Sequence, residues 1–330
     1  MLIKQNRNSD PLPSEITSNS VFLNRRTLLR NAAVTGIIAG IGPLALSGPA
    51  LGRQKLSNKI IKTRWTRASL SKDETVTPYD DVTSYTNFYE FGTNKSSATE
   101  NAHTLKPWPW TVIVDGHVES PGRYDFDDLV RSHDLEERVY RFRCVEAWSM
   151  VIPWVGIPLA KIIKRLGPTQ SAKYLAFETL LDPIQMPGQN SPVLHWPYRE
   201  GLRMDEATNP LTIMAVGIFG EPLPNQNGAP IRLVTPWKYG FKSIKSVVRL
   251  SFTETQPPTS WNIAAPREYG FHANVNPTVS HPRWSQARER RLGGATNIFG
   301  FTRKQPTLMF NGYSEEVASM YSGMDLAKNY

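Results

Sequence analysis

Apolar positions along this chain come in short runs, most of them too brief for anything but strands. Residues 110–116, Trp-Thr-Val-Ile-Val-Asp-Gly, read as a strand closed by a tight turn. Over 138–144 the pattern alternates, with Val139, Arg141 and Arg143 on one face and Tyr140, Phe142 and Cys144 on the other. Cys144 therefore ends that strand on its apolar side. Further strands are predicted over 174–180, 211–216, 231–235 and 246–253. The clearest helix is 158–166, where Leu159, Ile162, Ile163 and Leu166 share a face, Pro158 suits the first turn, and Gly167-Pro168 stops it. A last helix is predicted over 314–321, and 93–106 reads as a loop. The stretch 253–262, with Pro257-Pro258, reads either as a linker or as a rigid crossover. Many short strands with few helices, 26 prolines and 22 glycines describe a mixed α+β domain rich in irregular loops.

The first 50 residues follow a different pattern. Asn24-Arg25-Arg26-Thr27-Leu28-Leu29-Arg30 precedes an apolar run over 32–46, and small residues follow at Gly48 and Ala50. The run is broken by glycines and Pro43 and falls short of the roughly 20 apolar residues a membrane span needs. Paired arginines followed by two leucines match a twin-arginine export signal, a route that carries folded proteins. The expected organisation is a signal peptide over 1–50, an extended N-terminal arm over 51–84, and one domain over 85–330. The formal charge of the 330 residues is +9, and the leader's five basic and two acidic side chains leave about +6 for the rest. Because basic residues are scattered, isolated anion-binding spots are expected and nucleic-acid binding is not.

Export changes the meaning of the single cysteine, Cys144. In an oxidising compartment cysteines pair, and this one has no partner in its own chain. It lies in Arg-Phe-Arg-Cys-Val-Glu-Ala-Trp-Ser, residues 141–149, where Arg141 and Arg143 are expected to favour the thiolate. A thiolate is either a nucleophile or a soft metal ligand. The six histidines are far apart and form no metal-binding pair, but any of them could in space partner a cysteine nucleophile. Dinucleotide-binding, Walker and nucleophile-elbow motifs are missing from the sequence. Between two predicted strands, Asn225-Gln226-Asn227-Gly228 and 230–245 mix amides, glycines, aromatics and the cations Arg232 and Lys245. Such a loop can hold a phosphate with its basic groups and a heterocycle's edge with its amides, or it can simply be a solvated connection. In Tyr85-Thr86-Asn87-Phe88-Tyr89-Glu90-Phe91-Gly92 the aromatics suit a core, where Asn87 and Glu90 would need partners.

These segments together resemble a known family. Residues 86–92, 141–150, 226–233, 236–245, 276–286 and 305–313 are similar to the catalytic subunits of periplasmic protein-methionine-sulfoxide reductases of the MsrP type, in the sulfite-oxidase fold group. The resemblance implies a single sulfite-oxidase-type molybdopterin-binding domain with mixed sheets. It also implies a Mo-molybdopterin cofactor whose molybdenum takes Cys144 as its protein ligand. Cofactor contacts would fall on Asn87, Tyr89, Glu90, Thr179, Asn227, Arg232, Ser243, Ile244 and Lys245. Ser243 stands where the family often has glycine, and Thr86 where a second asparagine is common, which leaves open whether Thr86 or Asn87 touches the pterin. Glu146 and Tyr89 are the nearest candidates for passing protons. Trp148 and Trp237 are expected to rim a shallow cleft, since methionyl sulfur packs well on aromatic rings.

The implied chemistry is removal of the sulfoxide oxygen from methionine sulfoxide in exported proteins. The sequence carries no haem, flavin or iron–sulfur motif, so electrons would come from a membrane-embedded, quinone-linked haem subunit. The catalytic subunit is expected to be a periplasmic monomer. Two other readings stay open: a sulfite oxidase or another sulfoxide or N-oxide reductase of the same fold, and an exported binding protein with a structural free cysteine.

Overall fold

The computed structural model describes residues 60–65, 74–294 and 304–329, so the leader expected over 1–50 lies outside it. Two sheets organise the chain. The larger is built on an antiparallel hairpin of β4 (Leu135–Arg143) and β5 (Trp148–Pro158). Beside β4 runs β1 (Ile60–Lys62), in parallel. Along the second edge of β5, β8 (Ile213–Ile218) pairs antiparallel over the C-terminal half, and β12 (Arg288–Arg291) pairs in parallel with Trp148 and Ser149. The sheet is completed by β9 (Glu221–Pro222), β10 (Arg232–Val234) and β13 (Lys304–Pro306). The smaller sheet has the order β3 (Gly122–Asp125), β2 (Thr111–Gly116), β11 (Val247–Thr253), β6 (Tyr174–Thr179), β7 (Arg199–Arg203).

The expected strands appear with shifted ends. β4 begins at Leu135 and stops at Arg143, one residue short of Cys144. Its charged face is not solvated: Arg143 is buried against Glu289 and the partly buried Arg141 pairs with Glu74, while on the opposite face Arg138 is buried against Glu136. β5 has no counterpart in the sequence reading. All eleven of its residues are buried, so the alternation that marks a half-exposed strand is missing. The amphipathic helix is α4 (Leu159–Leu166), whose four predicted residues are buried; Gly167 ends it at φ +70°, donating its N–H to the Ile163 carbonyl at 3.1 Å.

Two stretches differ from expectation, and a third resolves an open alternative. Within 93–106, read as a loop, lie α2 (Ser97–Asn101) and a 3₁₀ turn (Ala102–Thr104); Ala98 and Ala102 are buried, and such small residues give little periodic signal. The described part of the arm expected over 51–84 is built into the domain: α1 (Tyr79–Ser84) buries Val82, and the Thr77 N–H bonds the Val151 carbonyl at 2.9 Å. The stretch 253–262 is the rigid alternative. Pro257 is buried, and α6 (Ser260–Ala264) offers its Ser260 hydroxyl to the Arg199 N–H at 2.8 Å. The remaining helices are α3 (Phe126–Val130), α5 (Met204–Thr208) and α7 (Ser314–Val317), which continues as a 3₁₀ turn to Tyr321. Among the described residues no helix is long and apolar enough to cross a membrane.

Candidate active site

The β4–β5 turn carries Cys144. Its backbone N–H donates to the Trp148 carbonyl at 2.9 Å, and the tightness of the turn forces Ala147 to φ +60°. The sulfur is buried and accepts two hydrogen bonds at 3.4 Å, from the Asn87 amide and from the Glu146 backbone N–H. It faces an open cavity of about 950 Å³, counting the space at its mouth, whose walls come from four separated stretches of chain, 82–90, 142–154, 226–245 and 261–269, together with Tyr198.

Most of the residues expected at a cofactor are brought together here. Asn87, Tyr89, Glu90, Cys144, Asn227, Arg232, Ile244 and Lys245 line the cavity. Thr179 and Ser243 stand one layer behind it. The Thr179 hydroxyl donates to the Lys245 carbonyl at 2.8 Å, and the Ser243 carbonyl accepts from Arg232 at 3.0 Å. Trp148 is on the wall, but Trp237 is not at any rim: it is fully buried and donates to the Tyr321 hydroxyl at 2.9 Å. Trp261 and Tyr269 take the place expected for Trp237, with ring centroids 4.7 Å apart. Trp261 comes from the 253–262 stretch that sequence left as a linker or crossover, and Tyr269 from the residues just after it.

The two arginines beside the cysteine do not activate it. Arg141 forms a bidentate pair with Glu74, and Arg143 is buried against Glu289 at 2.8 Å, so each guanidinium is already neutralised. Burial, reinforced by the Glu146 charge, pushes the free thiol up to about 12. A metal cation in the cavity would favour the thiolate. Burial also works on Glu146, yet hydrogen bonds from Lys95, Asn87 and the Trp148 indole outweigh it and hold the carboxyl below its ordinary value. Lys95, which the sequence reading missed, sits 2.8 Å from Glu146 and donates to the Asn87 side-chain Oδ1 at 2.6 Å. Its position is fixed by the 93–106 segment, whose helical turn left no clear sequence signal. Tyr89 is raised by burial and by Glu146. No histidine lines the cavity, so the described residues contain no cysteine–histidine pair at this site.

Two cations on the wall lack a full complement of partners. Arg232 is buried and donates only to the carbonyls of Asn227, Ser243 and Leu233; burial alone brings it down to about 9. Lys245 is lowered by burial and by Arg232, with Glu90 opposing. The Asn227 side-chain oxygen and the Thr86 hydroxyl are buried without any hydrogen-bond partner.

Residues 99–261 match the oxidoreductase molybdopterin binding domain family. Over its full length the chain is 54% identical to the protein-methionine-sulfoxide reductase catalytic subunit MsrP of Burkholderia mallei, spanning 100% of both chains. It is 54% identical to that of Ralstonia nicotianae, spanning 99% of both, and 51% identical to that of Pseudomonas syringae pv. tomato, spanning 100% of both. The chain belongs to the MsrP family. Among solved structures, the sulfane dehydrogenase SoxCD of Paracoccus pantotrophus superposes with a TM-score of 0.41 at 20% identity, over 53% of this chain and 43% of that one, a likeness too partial to argue from.

The MsrP-family cofactor is Mo-molybdopterin, and the unmet groups on the cavity wall fit it. Arg232 and Lys245 suit a phosphate. The orphaned Asn227 oxygen and Thr86 hydroxyl suit a heterocycle's polar edge, and a buried sulfur suits a soft metal. The Asn87 amide is already engaged with Cys144, Glu146 and Lys95. Of the neighbours Thr86 and Asn87, it is Thr86 that has a free hydrogen-bonding group.

Proposed function

We propose that this MsrP-family chain reduces methionine sulfoxide in exported proteins, with molybdopterin in the cavity and Cys144 as the protein ligand to molybdenum. The observation that carries the site assignment is a buried lone thiol facing the same cavity as two under-neutralised cations and two orphaned polar atoms. Bound there, the molybdenum centre supplies the two-electron chemistry that takes oxygen from a sulfoxide and leaves a thioether. The chain's own groups do the positioning. Asn87 and the Glu146 N–H hold the sulfur, and Lys95 and Trp148 fix the Glu146 carboxylate beside it. Arg232, fixed by the Asn227 and Ser243 carbonyls, would hold the phosphate together with Lys245 on the same cavity wall.

Room for a protein substrate is supported by a second cavity of about 650 Å³, which shares Val145, Phe241 and Tyr269 with the first. Its lining includes Arg267, Glu268 and His281, polar groups suited to the chain flanking a methionyl side chain. The paired Arg25-Arg26 and the apolar run after them support export by the twin-arginine route, hence a periplasmic location. The relatives are named catalytic subunits, which supports a separate electron donor. We assign that role to a membrane-embedded, quinone-linked haem subunit that docks transiently on a monomeric catalytic chain.

The test is metal content by mass spectrometry on protein from molybdate-supplied cells, together with methionine sulfoxide reduction driven by an artificial donor. Stoichiometric molybdenum and turnover are expected, and both are lost in Cys144→Ala. Absence of molybdenum from wild-type protein, in cells whose cofactor synthesis works for another molybdenum enzyme, overturns the reading.

A further inference from the structure

The turn that presents Cys144 is held from behind by a segment far away in sequence. Trp284 donates its indole N–H to the Val145 carbonyl at 2.8 Å, and the Gln286 amide donates to the same oxygen at 2.7 Å. Two side-chain donors on one turn carbonyl fix its direction firmly. The Val145 C=O and the Glu146 N–H belong to one peptide unit. In a planar trans peptide they point in opposite directions. With the carbonyl pulled toward Trp284 and Gln286, the N–H has to face the other way, and there it meets the Cys144 sulfur at 3.4 Å.

The donors are themselves locked. The Gln286 side-chain oxygen accepts from Arg143 at 2.9 Å, which turns its NH₂ group toward Val145. Arg143 in turn is held by Glu289 at 2.8 Å, and also donates to the Cys144 carbonyl. Glu289 accepts from the Ser149 hydroxyl at 2.7 Å and from Gln305 at 2.9 Å. Trp284 lies stacked on His281, with ring centroids 3.7 Å apart and planes 7° from parallel. None of these groups touches the sulfur, and Trp284 does not line the cavity in front of it.

We propose that Trp284 and Gln286 are positioning residues that aim the Glu146 N–H at the Cys144 sulfur and so set how strongly that sulfur donates to the metal. The inference rests on the assignment of Cys144 as the molybdenum ligand. A hydrogen bond to a coordinated thiolate withdraws electron density from it, and such outer contacts tune a metal's potential. Removing the bond leaves the thiolate a stronger donor, which favours the oxidised metal and lowers its potential.

Trp284→Phe keeps the stacked ring and removes one donor, while Gln286→Met keeps the bulk and removes the other. The control is Arg288→Ala, which cuts a 2.7 Å bond to the Lys304 carbonyl in the same part of the chain without reaching Val145. The midpoint potential is read by redox titration of the molybdenum electron paramagnetic resonance signal in loaded enzyme. Hydrogen exchange at the Glu146 amide is read in cofactor-free protein. Each donor variant is expected to lower the potential and speed exchange, by about tenfold in the double variant, while Arg288→Ala moves neither. An unchanged potential in the loaded double variant overturns the inference, as does an equal shift in Arg288→Ala. Wild-type protein that takes up no molybdenum overturns instead the ligand assignment on which the inference depends.

Discussion

Lys238 Nζ and Glu206 Oε1 lie 2.6 Å apart, and neither side chain reaches solvent. The ammonium also donates to the His272 carbonyl at 2.7 Å and to Asn274 at 3.0 Å, and the carboxylate accepts from the Tyr321 hydroxyl at 2.6 Å. Trp237 completes this interior network through Tyr321. The pair thus ties α5 to the loop after β10 and to the 3₁₀ turn that ends at Tyr321. With the buried charges paired with each other and hydrogen-bonded, the network fixes where these segments meet.

Glu206→Gln is expected to cost about 3 kcal/mol, because it leaves Lys238 buried without its counter-charge. Burial raises the Glu206 carboxyl, but Lys238 and the hydrogen bonds from His272 and Tyr321 outweigh it and hold it far below its ordinary 4.5. Its contribution is therefore complete above pH 4.5 and is lost as pH falls toward the folded-state value. Below pH 4.5 the wild type should lose about 1.4 kcal/mol per pH unit from this group, and the variant should not. Urea denaturation across the acid range measures both; equal acid slopes would assign the loss to other carboxyls.

Lys245→Met should act with opposite signs on the two forms of the protein. Without cofactor, the variant removes a cation that burial and Arg232 both oppose, so stability should hold or rise. Glu90, already raised toward its neutral form by burial, needs no replacement charge. With cofactor, the loss of one phosphate contact should weaken retention roughly 10- to 100-fold. Melting curves of loaded and cofactor-free protein, with molybdenum content after dialysis, separate the two effects.

Gly188→Ala should damage the cavity from outside. A Cβ there would fall 2.2 Å from the Tyr89 carbonyl oxygen and 2.7 Å from the Gly92 nitrogen, both backbone atoms. The Gly188 N–H also holds the Glu90 carbonyl at 2.8 Å. We expect a loss of about 1–3 kcal/mol and weaker cofactor retention, since Tyr89 and Glu90 must shift. Unfolding midpoint and bound molybdenum are the readouts, and a wild-type value for both would show that the neighbouring loop yields instead.

Thr179→Val is expected to cost about 1 kcal/mol by leaving the Lys245 carbonyl without its hydroxyl donor. It should lower cofactor retention less than Lys245→Met, because Thr179 stands behind the wall and Lys245 on it. Retention lost equally in both would place Thr179 in direct contact with the cofactor.

The sequence was most informative where chemistry was rare or periodicity clean. A lone cysteine at a strand end, the Asn87–Glu90 segment and the cations at 232 and 245 all converge on one cavity. The helix Leu159–Leu166 was legible because its two faces differ sharply. β5 was not, since a strand buried on both faces has no alternation to read. The arginines beside Cys144 misled for a different reason. Sequence shows that a charge is near, but whether another charge cancels it depends on Glu74 and Glu289, 67 and 146 positions away. Trp237 shows the same limit, for nothing local distinguishes an indole at a rim from one bonded to Tyr321 in the interior.

The hold of Trp284 and Gln286 on the Val145 carbonyl also bears on the order of events during synthesis. Cys144 leaves the ribosome about 140 residues before the groups that orient its turn, a delay on the order of ten seconds at ordinary elongation rates. Throughout that interval the Val145 carbonyl lacks the two donors that direct it. A cofactor arriving within that interval would meet a turn whose carbonyl is not yet held, so the sulfur gains its aimed N–H only once residues 284–286 have emerged and packed.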